Sequence, residues 1–190
     1  MLLYKFSPVN NRQACQPFYQ ELSSFNEEEL NFIREYGDAL EKTSVKLYGG
    51  GIVNASGSHF PINSDTQWIY DKYANLMTKC NASSYNYDLT GLEENLYYHT
   101  YLEGNSFGWH YDMGAQTPAP RKLSFSLQLS AETEYTGGDL EFMDIGDPLV
   151  ASKGKGLLVA FPSYKPHRVT PITSGVRRVL VAFAVGPNFK

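Results

Sequence analysis

The sequence predicts an α+β fold in which helices come first and a β-rich half follows. Amphipathic helical patterns are confined to residues 1 to about 80, whereas short strand patterns separated by turn residues dominate from about residue 94 onward. Helices followed by strands, rather than alternating with them, are typical of α+β architecture, and closely spaced short strands indicate a sandwich or barrel. We therefore expect a single domain over 1–190, with helical support and a lid in 1–93 and the β core in 94–190.

Composition excludes several other classes of protein. The chain has 190 residues, is 42% hydrophobic and carries a net charge of −4, so it is not a disordered polypeptide. It has no apolar run long enough to span a membrane, no recognisable signal peptide, and no basic surplus of the kind that DNA binding requires. Two cysteines, Cys15 and Cys80, form neither a disulfide framework nor a zinc site, which favours a cytoplasmic location.

Two helices are predicted in the first half. Asn26 is a suitable N-cap, the acidic residues 27–29 suit a helix N-terminus, and an apolar stripe follows at Leu30, Ile33, Tyr36, Gly37 and Leu40. A second helix is predicted to begin after Ser64 or Asp65 and to end near residues 79–81, with its stripe at Trp68, Ile69, Tyr73, Leu76 and Met77.

The segment between these helices is predicted to be mobile. Residues 49–51 are three consecutive glycines, and the following residues are rich in Asn, Ser and Gly. Two interpretations of residues 49–63 stay open: a lid that orders over an active site, or a plain surface connection.

Strands are predicted at six places in the second half, at 95–102, 109–112, 122–130, 139–143, 156–161 and 178–185. The segment 122–130 alternates strictly, with leucine and phenylalanine on one face and Ser124, Ser126, Gln128 and Ser130 on the other. The last two segments are continuous apolar runs, which predicts strands that are buried on both faces.

A candidate metal site is built from scarce histidines. His110 and Asp112 are two residues apart on a predicted strand, so both side chains lie on the same face. His167 follows a buried strand and supplies a third ligand. Two histidines and one carboxylate on one face of a cation, with the other face open, form the facial triad of non-haem Fe(II) oxygenases.

An arginine lies ten residues beyond His167. Arg177 is predicted to lie beside the metal, where its planar, permanently charged guanidinium can bind a carboxylate through two hydrogen bonds. Arg178 is the next residue along the strand, so its side chain points to the opposite face, and we expect it to be a solvated charge at the strand edge.

Five motifs in order resemble the Fe(II)/2-oxoglutarate-dependent dioxygenases, in particular their prolyl 4-hydroxylase-like branch of bacterial and phage type. The resemblance covers about residues 94–185, half of the chain. It rests on these segments: YLEGNSFGWHYD (101–112), RKLSFSLQL (121–129), YTGGDLEF (135–142), KGLLVAFPS (155–163) and PHRVTPITSGVR (166–177).

This resemblance implies a double-stranded β-helix, also called a jelly roll. It places Fe(II) on His110, Asp112 and His167, and the far carboxylate of 2-oxoglutarate on Arg177. Many relatives have a serine two residues past the arginine that also contacts the cosubstrate, whereas this chain has Val179. Further candidates for contacting the cosubstrate are Tyr101, Gln128, Tyr98, Ser126 and Ser124. His99 is expected to be structural or on the surface rather than a ligand.

The implied reaction is hydroxylation of a C–H bond with release of succinate and CO2, with L-ascorbate as a further candidate cofactor. The expected substrate is a prolyl residue of a peptide or protein. Two alternatives stay open: the same chemistry on a free amino acid or small metabolite, and a non-catalytic, cupin-like metal-binding barrel. Asp112 and Arg177 count against the second alternative. The expected location is the cytoplasm of a bacterial or phage-infected cell, and the sequence does not indicate an oligomeric state.

Overall fold

The computed structural model describes residues 17–45, 53–113 and 120–187. These residues form two α-helices, α1 (Glu27–Ala39) and α2 (Gln67–Cys80), the second of which continues into a π-helical turn at Asn81–Tyr85. Both helices occur where the sequence predicts them. Neither helix in the described residues has the length and apolar character that crossing a membrane requires.

Strands make up most of the rest. In chain order, the described strands are β1 (Tyr19–Leu22), β2 (Thr43–Ser44), β3 (Val53–Asn54), β4 (Ser56–Phe60), β5 (Leu96–Tyr101), β6 (Ser106–His110), β7 (Arg121–Gln128), β8 (Tyr135–Gly137), β9 (Leu140–Phe142), β10 (Leu149–Val150), β11 (Leu157–Pro162), β12 (His167–Val169), β13 (Ile172–Gly175) and β14 (Arg177–Val185).

The strands form a jelly-roll core of two main sheets, and every pair of neighbouring strands is antiparallel. In the described residues the larger sheet has seven strands in the order β1-β11-β7-β14-β5-β4-β2, and the smaller has five in the order β10-β9-β12-β6-β3. Strands β13 and β8 form a separate pair. Residues far apart in sequence therefore meet across the space between the sheets.

A capping box at Asn26 and Glu29 marks the start of helix α1. The side chain of Asn26 accepts a hydrogen bond from the Glu29 backbone at 2.9 Å, and the Glu29 carboxylate accepts one from the Asn26 backbone at 2.7 Å. This reciprocal capping box satisfies two backbone N–H groups that the helix cannot pair internally.

The seven-stranded sheet is buried on both faces. Leu123, Phe125 and Leu127 of β7 belong to a core that also holds Ile33 of α1 and Tyr73 of α2. The alternate β7 residues, Ser124, Ser126 and Gln128, face the space between the two sheets, as the alternating sequence predicts. On β14, Leu180 packs in the helix-side core and Val179 in the core between the sheets. The sheet thus separates a structural face from a face that is available for chemistry.

The predicted mobile segment needs a correction. Residues 46–52 lie outside the described part of the chain, but residues 53–60 are not a loop: β3 pairs with β6, and β4 pairs with β5. Glycine and serine fit here because the strand is held by its neighbour rather than by its own propensity. A Cβ at Gly57 would lie 3.0 Å from Cδ2 of His99, so the histidine ring fills the space that glycine leaves.

Candidate functional site

His110, Asp112 and His167 come together because β6 and β12 pair with His110 opposite His167. The Nε2 atoms of His110 and His167 each lie 3.5 Å from an oxygen of Asp112, one on each carboxylate oxygen. Within the described residues, this is the group of His, Cys, Asp and Glu side chains that could hold a metal ion, with one ligand atom from each residue and all within 4.8 Å of one another. The predicted triad is therefore a compact set of three ligands at the end of the smaller sheet.

Backbone carbonyls orient both imidazoles. Nδ1 of His110 donates to the Gly108 carbonyl at 2.8 Å, and Nδ1 of His167 donates to the Lys165 carbonyl at 2.9 Å. Because a carbonyl only accepts, each Nδ1 must carry the proton, and each Nε2 then presents a lone pair towards the centre of the triad. The tautomers are those that a metal ligand needs.

The protonation states also suit a cation. Burial tends to raise the pKa of Asp112, but the nearby His167 and His110 imidazoles and a hydrogen bond from Ser124 hold it well below its usual range. Burial lowers the pKa of His167 to about 4, against an opposing effect of Asp112. Near neutral pH the site therefore offers an ionised carboxylate beside an uncharged imidazole, which are the forms that bind metals.

Arg177 is the first residue of β14 and lies opposite Tyr101 of β5, on the inner side of the larger sheet. Its side chain is buried, and its guanidinium carbon lies 5.3 Å from the centre of the Tyr101 ring. Among the residues that the structure describes, its Nε and Nη1 atoms have no hydrogen-bond partner. A buried cation with two bare N–H groups is costly unless an anion satisfies it, so this side chain is suited to hold a carboxylate.

Arg178 points the other way, as its parity predicts. Its Nε donates to the Asp38 carboxylate of α1 at 2.9 Å, on the helix side of the sheet. The expectation of a solvated edge charge is wrong, because helix α1 covers this position and supplies the partner.

Tyr98, proposed from the sequence as a contact of the cosubstrate, also lies on the helix side. Its hydroxyl donates to Asp38 at 2.9 Å, and its ring packs within the helix-side core. Tyr98 and Tyr101 are three residues apart on one strand, so they must face opposite sides, and this assignment is wrong. Tyr101 faces inward, and burial raises the pKa of its hydroxyl to about 12 even though Arg177 opposes that rise.

Ser126 and Gln128 lie on the inner face of β7, where the sequence places them. The Gln128 amide is directed at the Ser126 hydroxyl at 3.5 Å. Ser124 contacts the Ser163 hydroxyl at 3.0 Å, which places it on the triad side of the same strand. Their contact with a cosubstrate stays a prediction.

His99 faces the inner side of the larger sheet, a position that the expectation of a structural or surface residue left open. It pairs with Val179 of β14, and its ring centre lies 6.2 Å from that of Tyr101. Burial, followed by the charge of Arg177, lowers the pKa of His99 to about 4, so the imidazole is neutral near pH 7. Its position two residues before Tyr101 on the same strand is the signal that could have revealed it.

Comparison with known proteins agrees with this geometry. Residues 96–185 match the model of the 2OG-Fe(II) oxygenase superfamily. A PKHD-type hydroxylase from Synechococcus sp. strain CC9902 is 38% identical over 80 residues, which are 42% of this chain and 36% of that protein. Another, from Acaryochloris marina, is 38% identical over 89 residues, 46% of this chain and 40% of that protein. These matches span well under half of the relatives' own length.

Solved structures share the fold. A Pseudomonas putida prolyl-4-hydroxylase superposes with a TM-score of 0.72 at 17% identity, covering 90% of this chain and 94% of that one. A Trichoplax adhaerens prolyl hydroxylase, solved with a peptide fragment of hypoxia inducible factor, gives a TM-score of 0.73 at 14% identity over 89% of this chain and 83% of its own. The segment that matches the 2OG-Fe(II) oxygenase superfamily model, 90 of the 190 residues, contains the triad and Arg177.

Proposed function

We propose that this protein is an Fe(II)- and 2-oxoglutarate-dependent oxygenase that hydroxylates a prolyl residue of a peptide or protein, releasing succinate and CO2. One observation carries the proposal: a compact His110–Asp112–His167 triad faces the space between the two sheets, and so does a buried Arg177 whose Nε and Nη1 have no hydrogen-bond partner among the described residues. The first suits a cation with open coordination positions, and the second suits the far carboxylate of a dicarboxylic acid.

Each of these side chains then has a defined role. His110, Asp112 and His167 would hold Fe(II) through two neutral imidazole nitrogens and one carboxylate. Arg177 would bind the distal carboxylate of 2-oxoglutarate, and Tyr101, packed against the guanidinium, would fix its orientation. When bound, the iron and 2-oxoglutarate supply the oxygen chemistry of the reaction. The protein would position the metal and 2-oxoglutarate relative to each other and would leave the other coordination positions of the metal free of side chains.

Aromatic side chains pack around the two candidate histidine ligands. The inner core is largely apolar and aromatic, and Phe107, Phe142 and Phe161 surround the two histidines, with ring centres 4.0 to 6.1 Å from an imidazole. With iron and 2-oxoglutarate bound, these aromatic rings would limit the access of solvent to the metal.

The proposal also includes four further expectations from the sequence analysis. These are a double-stranded β-helix with the helices of residues 1–93 as support, one domain over 1–190, and L-ascorbate as an auxiliary reductant. A cytoplasmic location also belongs to it, because a reducing compartment keeps iron ferrous and the buried Cys80 a thiol.

The prolyl substrate is supported by the names of similar proteins, which are PKHD-type hydroxylases and prolyl hydroxylases. The test is to incubate the protein with Fe(II), 2-oxoglutarate and oxygen together with a proline-rich peptide, the same peptide with alanine in place of proline, or free L-proline. We expect succinate together with a mass gain of one oxygen atom in the proline-containing peptide alone.

Asp112→Ala is the control and should give neither product. Hydroxylation of free L-proline but not of the peptide would overturn the substrate class, and absence of succinate in every reaction would overturn the oxygenase assignment.

A further inference from the structure

Besides the Nε and Nη1 atoms of Arg177, the buried hydroxyl of Tyr135 has no hydrogen-bond partner among the described residues. The Tyr135 side chain is 3% exposed, and its hydroxyl has no hydrogen-bond partner in the described ranges 17–45, 53–113 and 120–187. A buried hydroxyl without a partner is destabilising, so its presence needs a reason. Tyr135 belongs to the inner core, together with Tyr101 and Val179.

Gly138 brings Tyr135 and Arg177 close together. A Cβ at Gly138 would lie 3.2 Å from Cδ of Arg177 and 3.3 Å from Cε2 of Tyr135, so these two atoms are at most 6.5 Å apart. Gly138 has a φ of +63°, which glycine adopts without strain. The turn after β8 therefore packs the tyrosine ring and the arginine side chain around one backbone position.

A lysine beside the Tyr135 ring already has polar partners of its own. Lys153 lies 5.2 Å from the ring centre, but its ammonium binds the Asp139 carboxylate at 2.8 Å and the Gly137 carbonyl at 2.7 Å. Within the part of the chain that the structure describes, the donors without a partner at this place are therefore the Tyr135 hydroxyl and the Nε and Nη1 of Arg177. A carboxylate has two oxygens and can accept from all three donors.

We propose that Tyr135 is a further cosubstrate-binding residue, whose hydroxyl donates a hydrogen bond to the distal carboxylate of 2-oxoglutarate held by Arg177. This inference rests on the proposed function and adds to it a contact that no motif in the sequence indicates. Among the described residues the Tyr135 hydroxyl has no acceptor, and the distal carboxylate would supply one.

Tyr135→Phe tests the contact, because it removes the hydroxyl and keeps the ring. Binding is measured by calorimetric titration of the Mn(II)-loaded protein, which avoids turnover, and thermal unfolding is measured without ligand. We expect the variant to unfold at the same or a higher temperature than the wild type, and to bind 2-oxoglutarate roughly ten-fold or more weakly.

Two controls separate this role from a structural one. Tyr73→Phe removes a buried hydroxyl that donates to the Leu180 carbonyl at 2.7 Å on the helix side, so it should lower the unfolding temperature and leave affinity unchanged. 2-Oxobutanoate, which lacks the distal carboxylate, should bind to wild type and Tyr135→Phe equally.

Equal 2-oxoglutarate affinity in wild type and Tyr135→Phe would overturn this inference while leaving the proposed function standing. A loss of unfolding temperature in Tyr135→Phe like that of Tyr73→Phe, or an equal loss of affinity for 2-oxobutanoate, would show a structural role and also overturn it. Failure of the wild type to bind 2-oxoglutarate would overturn the proposed function and this inference with it.

Discussion

Arg177 and Arg178 are neighbours on β14 whose side chains lie on opposite faces of the seven-stranded sheet. Arg177 is buried between the two sheets with two of its nitrogen atoms unpaired in the described structure, whereas Arg178 binds Asp38 of α1 at 2.9 Å. The alternation of a β-strand thus assigns one arginine to the site and the other to the contact between sheet and helix.

Substituting each arginine should therefore give different phenotypes. Arg177→Ala should weaken 2-oxoglutarate binding by about ten- to 150-fold, the loss expected for hydrogen bonds between charged groups, with metal affinity unchanged. Arg178→Ala should leave 2-oxoglutarate affinity alone and cost about 1 kcal/mol or less of stability, because the pair with Asp38 is partly exposed. Calorimetric titration and urea unfolding measure the two effects, and reversed phenotypes would contradict the assignment of faces.

Gly37→Ala in α1 should destabilise the protein, although alanine is the better helix former. In an open helix the change would gain about 1 kcal/mol. Here a Cβ would lie 2.4 Å from two ring carbons of Tyr98, which is itself fully buried. Overpacking of this kind typically costs about 1–3 kcal/mol, so the free energy of unfolding should fall on balance. Urea unfolding measures it, and a gain in stability would show that the helix does not lie this close to the sheet.

Stability of the metal-free protein should fall as the pH drops from about 6.5 to about 4. The pKa values of His99 and His167 are lowered to about 4 by burial, whereas in the unfolded chain they are near the ordinary value of 6.5. The unfolded state therefore binds more protons in this window, and the stability that is fully present above pH 6.5 is lost towards pH 4. Each histidine contributes up to about 1.4 kcal/mol per pH unit.

His99→Asn is the matched variant for this pH dependence. Among the described residues it removes one of the two histidines whose pKa is lowered to about 4, so the stability curve should become shallower between pH 5 and 6.5. Urea unfolding of both proteins at several pH values between 4 and 7 gives the slopes. Identical slopes would mean that His99 is not held neutral in the folded protein.

Metal should stabilise the protein only when all three ligands are present. We expect Mn(II) to raise the unfolding temperature of the wild type, because an ion that binds the folded state alone adds its binding free energy to stability. His167→Ala and His110→Ala should lose this shift, whereas His99→Asn should keep it. A metal-dependent shift that survives in His167→Ala would contradict the triad.

Local sequence signals located much of this architecture. Asn26 as the N-cap and the acidic residues 27–29 indicated the start of α1, and the alternation in 122–130 placed the serines and Gln128 on one face. The His110–Asp112 spacing placed both ligands on one side of a strand, and parity separated Arg177 from Arg178. These features depend on residues close in sequence, where the period of the element decides the direction of each side chain.

Other features depend on contacts between residues far apart in sequence. Strand β4 is poor in strand-forming residues and exists because it pairs with β5, with the His99 ring filling the space over Gly57. Tyr135 lies near Arg177 because β8 pairs with β13 and the chain turns at Gly138. Propensity and motif spacing carry no information about such pairings, so sequence reasoning read the first as a loop and missed the second.

The central claim is that one site binds Fe(II) through the triad and 2-oxoglutarate through Arg177. Anaerobic titration of 2-oxoglutarate into the Fe(II)-loaded protein, followed by the visible charge-transfer absorption of the iron–2-oxo acid chelate, tests both parts together. We expect a saturable band in the wild type, the same band at higher 2-oxoglutarate concentration in Arg177→Ala, and none in Asp112→Ala. A band of wild-type strength in Asp112→Ala, or no band in the wild type, would contradict the account.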